Sequence, residues 1–531
     1  MPGIGLDSAI DLQEALLHLN SRNSGPYRSL ERKAGWMICV TLGRTRHKYL
    51  IAEHQHIGEL GGELVELRLD YIGRTIDLSR ILKDRPTAVV ITCRRKSDGG
   101  RWERPEDERR MLLRSAIAAG VEYVDLEDDA AAAIPRYGKT KRIVSYHNFQ
   151  ETPVDLEAIH QRLLKHDADI VKIATLATSF SDVVRVLELM DKSKVPTIGI
   201  AMGDMGGVTR LLAARFGAPF TYCSFDSERQ IAPGQFSFKQ MRDLYRVDSI
   251  DGNTKLFGVV ADPVAHSYSP LIHNSAFAHH GIQARYLPFR IPEEELPVFL
   301  RWCREFGIGG LSVTIPHKES ILPLLSRAEQ AAQEIGAVNT VVFNQDEAIG
   351  YNTDYRAAMD CLTDAMKQVT GQDEPFKGRT VLLLGAGGVS RAIGFGLRQR
   401  GAIVEIASRS MERTEALARA IGAKAISWDS RYDVRPALIV NGTPIGMFPD
   451  VDNTPYDGEH LDASTLVFDT VYNPESTLLV KTARKQGCPV LTGSYMFIRQ
   501  ACYQYKLFTG LEPPADVMRA TLQKAISPLR D

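Results

Sequence analysis

The sequence has few of the features that mark secreted, membrane-bound or nucleic-acid-binding proteins. Its 7 cysteines are scattered and form no Cys-x-x-Cys pair, which argues against a disulfide framework and against a zinc site. The 64 basic and 65 acidic residues nearly cancel, so the overall charge favours neither nucleic acid nor an anionic membrane. No apolar run reaches the roughly 18 residues of a membrane span. We therefore expect a cytoplasmic protein with no metal, and we interpret residues 1–34 as an N-terminal extension.

From Trp36 onward, short β-rich apolar runs alternate with longer amphipathic stretches. The eight runs are Met37–Leu42, Leu64–Leu69, Ala88–Cys93, Tyr123–Leu126, Arg142–His147, Asp169–Ala174, Thr197–Met202 and Phe220–Ser224. Eight βα units in roughly 210 residues predict a (β/α)₈ barrel, which we place at residues 35–247. The alternative is a doubly wound sheet, but the α/β pattern further along the chain fits such a sheet better.

One lysine stands out, because Lys172 lies inside the apolar run Asp169–Ala174. Burial among branched aliphatic side chains disfavours the charged form of an amine. A partly neutral amine can attack a carbonyl and form a Schiff base. The alternative is a lysine that extends its ammonium group out of the strand end into water.

Other polar side chains lie at the ends of the predicted strands or just after them, where a barrel carries its reactive groups. They are Glu66, Arg68, Arg94, His147, Arg210 and Gln235. Arginine guanidinium groups match the geometry of a carboxylate, and an imidazole can transfer a proton. His147 taken alone could equally be a buried structural histidine. Together with Lys172, these groups predict imine chemistry on a carbonyl acid.

The motifs of this half resemble type I 3-dehydroquinate dehydratase. They are Glu66-Leu-Arg68-Leu-Asp70, Thr92-Cys-Arg94, Ser145-Tyr-His147, Val171-Lys172, Met202-Gly203 through Arg210, and Ala232-Pro-Gly-Gln235. The resemblance implies an imine between Lys172 and the C3 ketone of 3-dehydroquinate, with His147 moving protons. It also implies that the remaining polar residues hold the substrate: Glu66, Arg68, Arg94, Arg210 and Gln235.

Two positions depart from that family pattern. Asp98 stands where the family has a glutamate that orients the histidine, and Ile231 stands where it has a substrate-binding serine. Losing one neutral hydrogen bond costs about 0.5–1.5 kcal/mol. We therefore keep Asp98 among the predicted site residues and expect a slower dehydratase, not an inactive one.

A second α/β pattern follows a polar break at 247–253 and contains a glycine-rich turn between a strand and a helix. The turn is Gly385-Ala386-Gly387-Gly388-Val389-Ser390. Glycines allow the close approach of a pyrophosphate, and the helix N-terminus supplies free N–H groups. About twenty residues on, the sequence reads Ser408-Arg409-Ser410 and then Arg413, which suits the 2′-phosphate of NADP. The alternative is that these arginines are only solvent-exposed residues at the N-terminus of a helix.

Upstream of the turn, hydroxyl, amide, lysine and aspartate side chains suit a polyhydroxylated ligand. Lys318 and Asp354 could pass a proton to an oxygen whose carbon receives a hydride. With Asn441–Met447, Asp469–Pro474 and Gly493–Met496, this half resembles shikimate dehydrogenase. The resemblance implies that Lys318 and Asp354 are catalytic. It implies substrate contacts from Ser267, Ser269, Thr314, Asn339, Tyr472, Gln500 and Gln504, and further cofactor contacts from Thr443 and Gly493.

The predicted organisation is therefore α/β throughout. A barrel at 35–247 precedes a substrate-binding domain at 253–356, a Rossmann-type NADP-binding domain at 357–494, and C-terminal helices at 495–531 that return to the substrate domain. This order resembles the bifunctional enzymes that dehydrate 3-dehydroquinate to 3-dehydroshikimate and reduce the product with NADPH to shikimate. The alternatives are a quinate dehydrogenase with NAD preference and a weakened barrel, or a metabolite-sensing protein without catalysis.

Overall fold

The computed structural model describes residues 36–265, 267–344 and 347–526. The predicted extension at 1–34 lies outside the described residues, as do the last five residues of the predicted C-terminal helices. The rest of the chain forms one parallel barrel and two further sheets, with helices between the strands. The prediction of an α/β fold is confirmed.

The barrel is nearly closed, with its eight parallel strands in the order β7-β6-β5-β4-β3-β2-β1-β8. The strands are β1 Met37–Leu42, β2 Leu64–Arg68, β3 Ala88–Thr92, β4 Tyr123–Glu127, β5 Lys141–Asn148, β6 Ile170–Leu176, β7 Thr197–Met202 and β8 Phe220–Ser224. The helices are α1 His47–Glu59, α2 Leu78–Leu82, α3 Glu106–Ala118, α4 Asp128–Ala133, α5 Leu156–Leu164, α6 Phe180–Lys192 and α7 Val208–Leu211. The predicted (β/α)₈ barrel is confirmed.

The barrel strands are buried nearly throughout, since helices cover the outside and side chains fill the interior. Branched aliphatic and aromatic residues dominate them, as pleated strands favour. Inward-pointing apolar residues such as Leu64, Val90 and Ile170 fill part of the interior. The polar residues lie nearer the C-terminal ends of the strands, which is where the first site forms.

The second sheet has six strands in the order β10-β9-β11-β13-β14-β12. Its strands are β9 Lys255–Ala261, β10 Ala284–Arg290, β11 Ile308–Val313, β12 Arg327–Ala328, β13 Thr340–Phe343 and β14 Ala348–Tyr351. Its helices are α8 Ser269–His279, α9 Leu296–Phe306, α10 Gln330–Ile335 and α11 Thr353–Thr370. Unlike the other two sheets it is mixed, because β13 is antiparallel to both β11 and β14.

The third sheet is parallel, in the order β17-β16-β15-β18-β19-β20. Its strands are β15 Thr380–Leu384, β16 Ile403–Ala407, β17 Lys424–Ile426, β18 Leu438–Asn441, β19 Leu466–Asp469 and β20 Val490–Thr492. The remaining helices are α12 Gly388–Gln399, α13 Met411–Ile421, α14 Leu478–Lys485, α15 Gly493–Thr509 and α16 Ala515–Ile526. This is the Rossmann order, and a ligand binds where it reverses, between β15 and β18.

The contacts divide the chain into two compact units. The first contains the described residues up to Leu256 together with Gln283–Gly307, and the second contains Phe257–Ile282 and the described residues from Ile308 onward. Within the first unit, the aromatic face of α9 explains why this helix is counted with the barrel. The Phe180 ring lies 5.1 Å from that of Phe299 and 5.3 Å from that of Trp302, between ring centroids.

Candidate active sites

The first site is built around Lys172 on β6, which is 4% exposed. Its ammonium nitrogen donates to the Asp125 carboxylate at 2.9 Å and lies 3.8 Å from Glu66. The same nitrogen lies 4.0 Å from the centroid of the Tyr222 ring. The lysine therefore stays inside the barrel, and the alternative of an ammonium group extended into water is excluded.

Asp125 on β4 collects hydrogen bonds from three directions. Besides Lys172, Arg94 donates to it at 2.8 Å and the Ser145 hydroxyl at 2.6 Å. Burial alone would raise the pKa of Asp125, but the nearby Arg94, Lys172 and His147 and the bond from Ser145 outweigh it, so the pKa lies well below its ordinary value. Asp125 is therefore a fixed negative charge beside the amine at neutral pH.

His147, at the end of β5, contacts the Arg94 guanidinium group through Nε2. Its Nδ1 atom is buried and has no hydrogen-bond partner among the described residues. Burial, reinforced by the charges of Arg94 and Lys172, holds the pKa of His147 well below its ordinary value. The imidazole is therefore neutral at neutral pH, as a general base requires.

The other predicted arginines of the barrel differ in their pairing. Arg68 forms a two-pronged ion pair with Asp70, at 3.0 and 2.8 Å. Arg210 is 2% exposed and donates only to the Tyr222 carbonyl oxygen, at 3.4 Å, with no carboxylate partner in the described part of the chain. Burial lowers the pKa of Arg210 to about 10, so it remains a cation at neutral pH. A buried, unpaired arginine is suited to an anionic ligand such as a carboxylate.

Two loops complete the mouth of the barrel. The Gln235 side-chain oxygen accepts from the backbone of Ile231 at 2.8 Å, so this amide shapes its own loop. Gly234 in the same loop has φ +73°, and a Cβ there would lie 2.2 Å from the Gly203 carbonyl oxygen, so only glycine fits. Asp98 accepts from Arg95 at 2.8 Å and lies within the loop after β3, while the imidazole of His147 contacts Arg94 instead.

The second site contains an ion pair between Lys318 and Asp354, 2.5 Å apart. Asp354 lies in the first turn of α11, and Lys318 follows β11. Both side chains are largely buried, at 12% and 10% exposure. A Cβ added to Gly388 would lie 3.3 Å from Lys318 Cδ, so the lysine stem runs directly beside the glycine turn.

The predicted substrate residues of this half lie on several elements of the second compact unit. Asn339 is 2% exposed and accepts from the Thr353 backbone N–H at 2.7 Å, which fixes it against the start of α11. The Ser267 hydroxyl accepts from the Ser269 backbone at 3.3 Å, where α8 begins. Thr314 is half-buried, and its backbone N–H donates to Val260 at 3.2 Å. His266, which precedes Ser267, lies outside the described residues.

The last three predicted substrate residues lie on helix α15 or pack against it. The Tyr472 ring stacks on that of Phe497 with centroids 4.1 Å apart, and burial raises the pKa of its hydroxyl to about 12. Gln500 donates to the Phe497 carbonyl at 2.9 Å. Gln504 accepts from Ser312 at 2.7 Å and donates to the Asn339 carbonyl, so its amide ties α15 to the substrate sheet. The contact of Gln504 with the substrate stays a prediction.

The glycine turn lies where the third sheet reverses its strand order. Gly385 has φ +106°, and a Cβ there would lie 2.9 Å from the Gly442 carbonyl oxygen, so the residue must be glycine. Gly387 is the N-cap residue of α12, and a Cβ added to it would meet open space. Ala386 and Val389 are half-buried, and the Ser390 hydroxyl donates to Gly442 at 3.4 Å. An open glycine at a helix N-terminus fits a dinucleotide pyrophosphate.

The remaining predicted cofactor residues follow the strands on either side of the turn. Arg409 and Arg413 are exposed after β16, and the Ser408 hydroxyl donates to the Ser410 carbonyl at 2.9 Å. Exposed arginines at this strand end suit a 2′-phosphate, so the residues present fit NADP. The Thr443 hydroxyl, just after β18, donates to the Asn441 side-chain oxygen at 2.6 Å. Gly493 is the first residue of α15.

Sequence reasoning missed three residues of the first site, namely Asp125, Glu127 and Tyr222. Glu127 accepts from Arg109 at 2.7 Å and lies 3.7 Å from Arg94. The signal was available, because Asp125 interrupts the apolar run Tyr123–Leu126 just as Lys172 interrupts its own. A charged residue within a buried barrel strand needs a partner of opposite charge. Here Asp125 of β4 and Lys172 of β6 are partners of each other.

Neither a metal site nor a membrane span emerges from the side chains and helices that the structure describes. No group of three or more His, Cys, Asp or Glu residues in 36–265, 267–344 and 347–526 is arranged to hold a metal ion. Across those same residues, no helix combines the length and the apolar character needed to traverse a bilayer.

Known families match both halves of the chain. The family described as Type I 3-dehydroquinase matches residues 38–252. The Shikimate dehydrogenase substrate binding domain matches 259–341, and the Shikimate 5'-dehydrogenase C-terminal domain matches 493–523. These matches follow the order in which the two sites occur along the chain.

Individual relatives show the same two parts. The chloroplastic bifunctional 3-dehydroquinate dehydratase/shikimate dehydrogenase of Arabidopsis thaliana is 36% identical over 510 residues, which cover 92% of this chain and 84% of the relative. The shikimate dehydrogenase (NADP(+)) of Desulforamulus reducens is 35% identical over 290 residues, covering 52% of this chain and 98% of the relative. A crystal structure of shikimate dehydrogenase in complex with NADP+ is 35% identical, covers 52% of this chain and 98% of its own, and has a TM-score of 0.49.

Proposed function

Because the chain belongs to the family of bifunctional 3-dehydroquinate dehydratase/shikimate dehydrogenases, we propose that its two sites use the residues placed above in two successive reactions. The barrel is the lyase that dehydrates 3-dehydroquinate, and the second half is the NADP-dependent oxidoreductase that forms shikimate. The activity predictions and the NADP prediction are confirmed by these relatives. The residue roles that follow, and the Schiff base, are proposals.

In the barrel, His147 takes a proton from the Lys172 ammonium group, and the freed amine attacks the C3 ketone of 3-dehydroquinate. The addition product takes that proton back and loses water, which gives the protonated imine. His147 removes the C2 proton, and the electron pair moves towards the iminium nitrogen. The C1 hydroxyl then leaves as water with a proton from the imidazolium, and hydrolysis of the imine frees Lys172. Asp125 stabilises the positive nitrogen at 2.9 Å, and Arg210 binds the substrate carboxylate. The observation that carries this proposal is a buried lysine beside a neutral histidine and an unpaired buried arginine.

In the second half, the glycine turn and the exposed arginines after β16 hold NADPH, which when bound supplies the hydride. Lys318 delivers a proton to the oxygen of the ketone, and Asp354 holds the ammonium group in place at 2.5 Å. Asn339 and Tyr472 orient the hydroxyl groups of the substrate. Lys318 lies against Gly388, so the proton donor lies beside the turn that would hold the cofactor.

The first test is NADPH oxidation by the purified protein supplied only with 3-dehydroquinate. Oxidation is expected, because the barrel must first produce the ketone that the second half reduces. If NADPH is oxidised only after 3-dehydroshikimate is added, the barrel is deficient and the departures at Asp98 and Ile231 become the explanation. Oxidation of quinate with NAD in preference to shikimate with NADP would instead support the quinate dehydrogenase alternative. No turnover with any of these substrates would support the metabolite-sensing alternative.

The second test addresses the Schiff base itself. Borohydride added during turnover of 3-dehydroquinate should reduce the imine and leave a stable mass adduct on the peptide that contains Lys172. Lys172→Ala should give no adduct, and Lys192→Ala, an exposed lysine at the end of α6, is the matched control that should still give one. An adduct that persists in the Lys172→Ala variant would contradict the assignment.

The cytoplasmic location is likewise a proposal. All seven cysteines are free thiols and most are buried, as in a reducing compartment. The near balance of charge leads us to propose that nucleic acid is not a partner. Fractionation of cells that express the full-length protein should recover it in the cytosol, and recovery with plastids or another organelle would contradict this.

A further inference from the structure

A cavity of about 320 Å³ lies between helices α11, α15 and α16, on residues that neither reaction uses. Cys361 of α11, Ile498 and Cys502 of α15, and Ala515 of α16 contribute to its lining. Small-molecule sites have volumes from about 300 Å³ upward, so the cavity is large enough for a small ligand.

The floor of this cavity is apolar. Cys361 is 6% exposed and Ile498 is 3% exposed. Burial raises the pKa of both Cys361 and Cys502 to about 11, so the thiols are protonated at neutral pH and behave as small apolar groups. The floor therefore accommodates a hydrocarbon ring and offers no nucleophile.

The rim is cationic, with Arg499, Lys506 and Arg519 opposed by Glu512 alone among the lining residues. Arg499 pairs with Asp364 at 3.1 Å, and Lys506 pairs with Glu512. Arg519 instead lies over the Tyr495 ring, 5.1 Å from its centroid, and none of the carboxylates that the structure describes pairs with it. This arginine is therefore the group on the rim that can bind an added anion.

The cavity lies on a different face of α15 from the predicted substrate residues. Tyr495, Arg499, Cys502 and Lys506 recur at the four- and three-residue spacing that brings side chains to one face of a helix. Gln500 and Gln504 lie on another face and are buried. A ligand in the cavity would therefore not occupy the substrate site.

We propose that this cavity binds a small organic anion, with an apolar ring on the floor and a carboxylate at Arg519. The ring contacts Cys361, Ile498 and Cys502, and the Tyr495 face packs beside it. Inorganic phosphate would leave the apolar floor in contact with water, and a neutral aromatic molecule would leave Arg519 without a partner. Both parts of the ligand are therefore needed for full affinity.

Isothermal titration of the full-length protein with 3-phenylpropanoate tests the proposal, in the presence of saturating NADP+ and shikimate. We expect saturable 1:1 binding, with binding at least about fivefold weaker for 3-phenylpropanol and for inorganic phosphate. Absence of saturable binding overturns the proposal. Binding that appears only when shikimate is omitted also overturns it, since the probe is then in the substrate site. Equal binding of phosphate overturns the role given to the apolar floor, and equal binding of 3-phenylpropanol overturns that of Arg519.

Two variants locate the bound probe. Arg519→Gln should weaken binding of 3-phenylpropanoate roughly fivefold to tenfold, while Lys524→Gln, which removes an equal charge from the exposed end of the same helix, should leave it unchanged. Ala515→Phe fills the cavity with a side chain and should abolish binding without loss of NADPH-dependent activity. Undiminished binding by Arg519→Gln or Ala515→Phe overturns the proposal.

Discussion

At the scale of single residues, Asp125 organises the barrel site although it performs no proposed proton transfer. It joins side chains from β5, from β6 and from the loop after β3, since Ser145, Lys172 and Arg94 all donate to it. Removing one partner from a buried ion pair leaves the other charge uncompensated, at a cost of about 3–5 kcal/mol. The carboxylate therefore contributes to stability as well as to the proposed stabilisation of a positive imine nitrogen.

Asp125→Asn should lower the melting temperature at pH 7, and the difference from the unchanged protein should shrink below about pH 4. The folded-state pKa of Asp125 lies well below its ordinary value. Its stabilising effect is thus complete above the ordinary pKa of about 3.9 and is lost as the pH falls from there through the folded-state pKa. Thermal denaturation at several pH values measures this.

Asp98→Asn is the matched control for that experiment. Asp98 also accepts from an arginine, but its side chain is 26% exposed, so its ion pair with Arg95 should contribute about 1 kcal/mol or less. A difference between Asp125→Asn and the unchanged protein that stays constant from pH 7 to pH 3 would contradict the role given to the ionised carboxylate.

Lys318→Ala should abolish ketone reduction and leave dehydration of 3-dehydroquinate intact. Lys318 belongs to the second compact unit, whereas every residue of the barrel site belongs to the first. Separate assays with 3-dehydroquinate and with 3-dehydroshikimate plus NADPH measure the two reactions. Loss of both activities in a variant that remains folded would show that the halves do not act independently.

At the scale of elements, the turn from β15 into α12 depends on glycines for two different reasons. Gly385 is required by the backbone, because its φ is +106° and a side chain would meet Gly442. Gly387 has open space around it, so the protein itself would tolerate a Cβ there. We expect the close approach of a bound pyrophosphate to require glycine at this position.

The two glycines therefore predict different defects when each is changed to alanine. Gly385→Ala should lower both the melting temperature of the dehydrogenase half and its NADPH-dependent activity, because the turn is strained. Gly387→Ala should keep the melting temperature and raise the KM for NADPH. Differential scanning fluorimetry and steady-state kinetics separate these effects. An unchanged KM in Gly387→Ala would show that the cofactor does not approach that position.

At the scale of the whole molecule, helix α9 contributes to the stability of the barrel unit although it lies outside the barrel sequence. Phe306 stacks on Phe216 with centroids 5.3 Å apart, and Trp302 packs edge-on against Phe180. Trp302 is 2% exposed. Aromatic pairs of this kind add to the free energy gained by burial of their surface.

Trp302→Ala should make the dehydratase activity more sensitive to heat. Truncation of a buried tryptophan costs about 3–5 kcal/mol, and here the cavity would open against the barrel helices. Residual dehydratase activity after timed heating measures the effect. Trp428→Ala is the matched control, because Trp428 belongs to the other compact unit and should leave the heat stability of the dehydratase unchanged. Equal heat stability in Trp302→Ala would contradict the contribution of α9.

The sequence by itself determined the fold class and the order of the two activities, and its site residues stay predictions. Lys172 and the glycine turn were recognisable because each breaks or follows a local pattern of apolar strand residues. Tertiary structure alone decided which groups face each other. Asp125 and Lys172 are 47 positions apart, and only strand order and packing in the barrel bring them to 2.9 Å.

The same limit explains the pairing of Gln504 with Ser312 and the inclusion of α9 with the barrel unit. A local pattern specifies which residues are buried, since burial follows the periodicity of a single element. The identity of a buried partner depends on the strand order and packing of elements far apart in the chain, and no local pattern contains these.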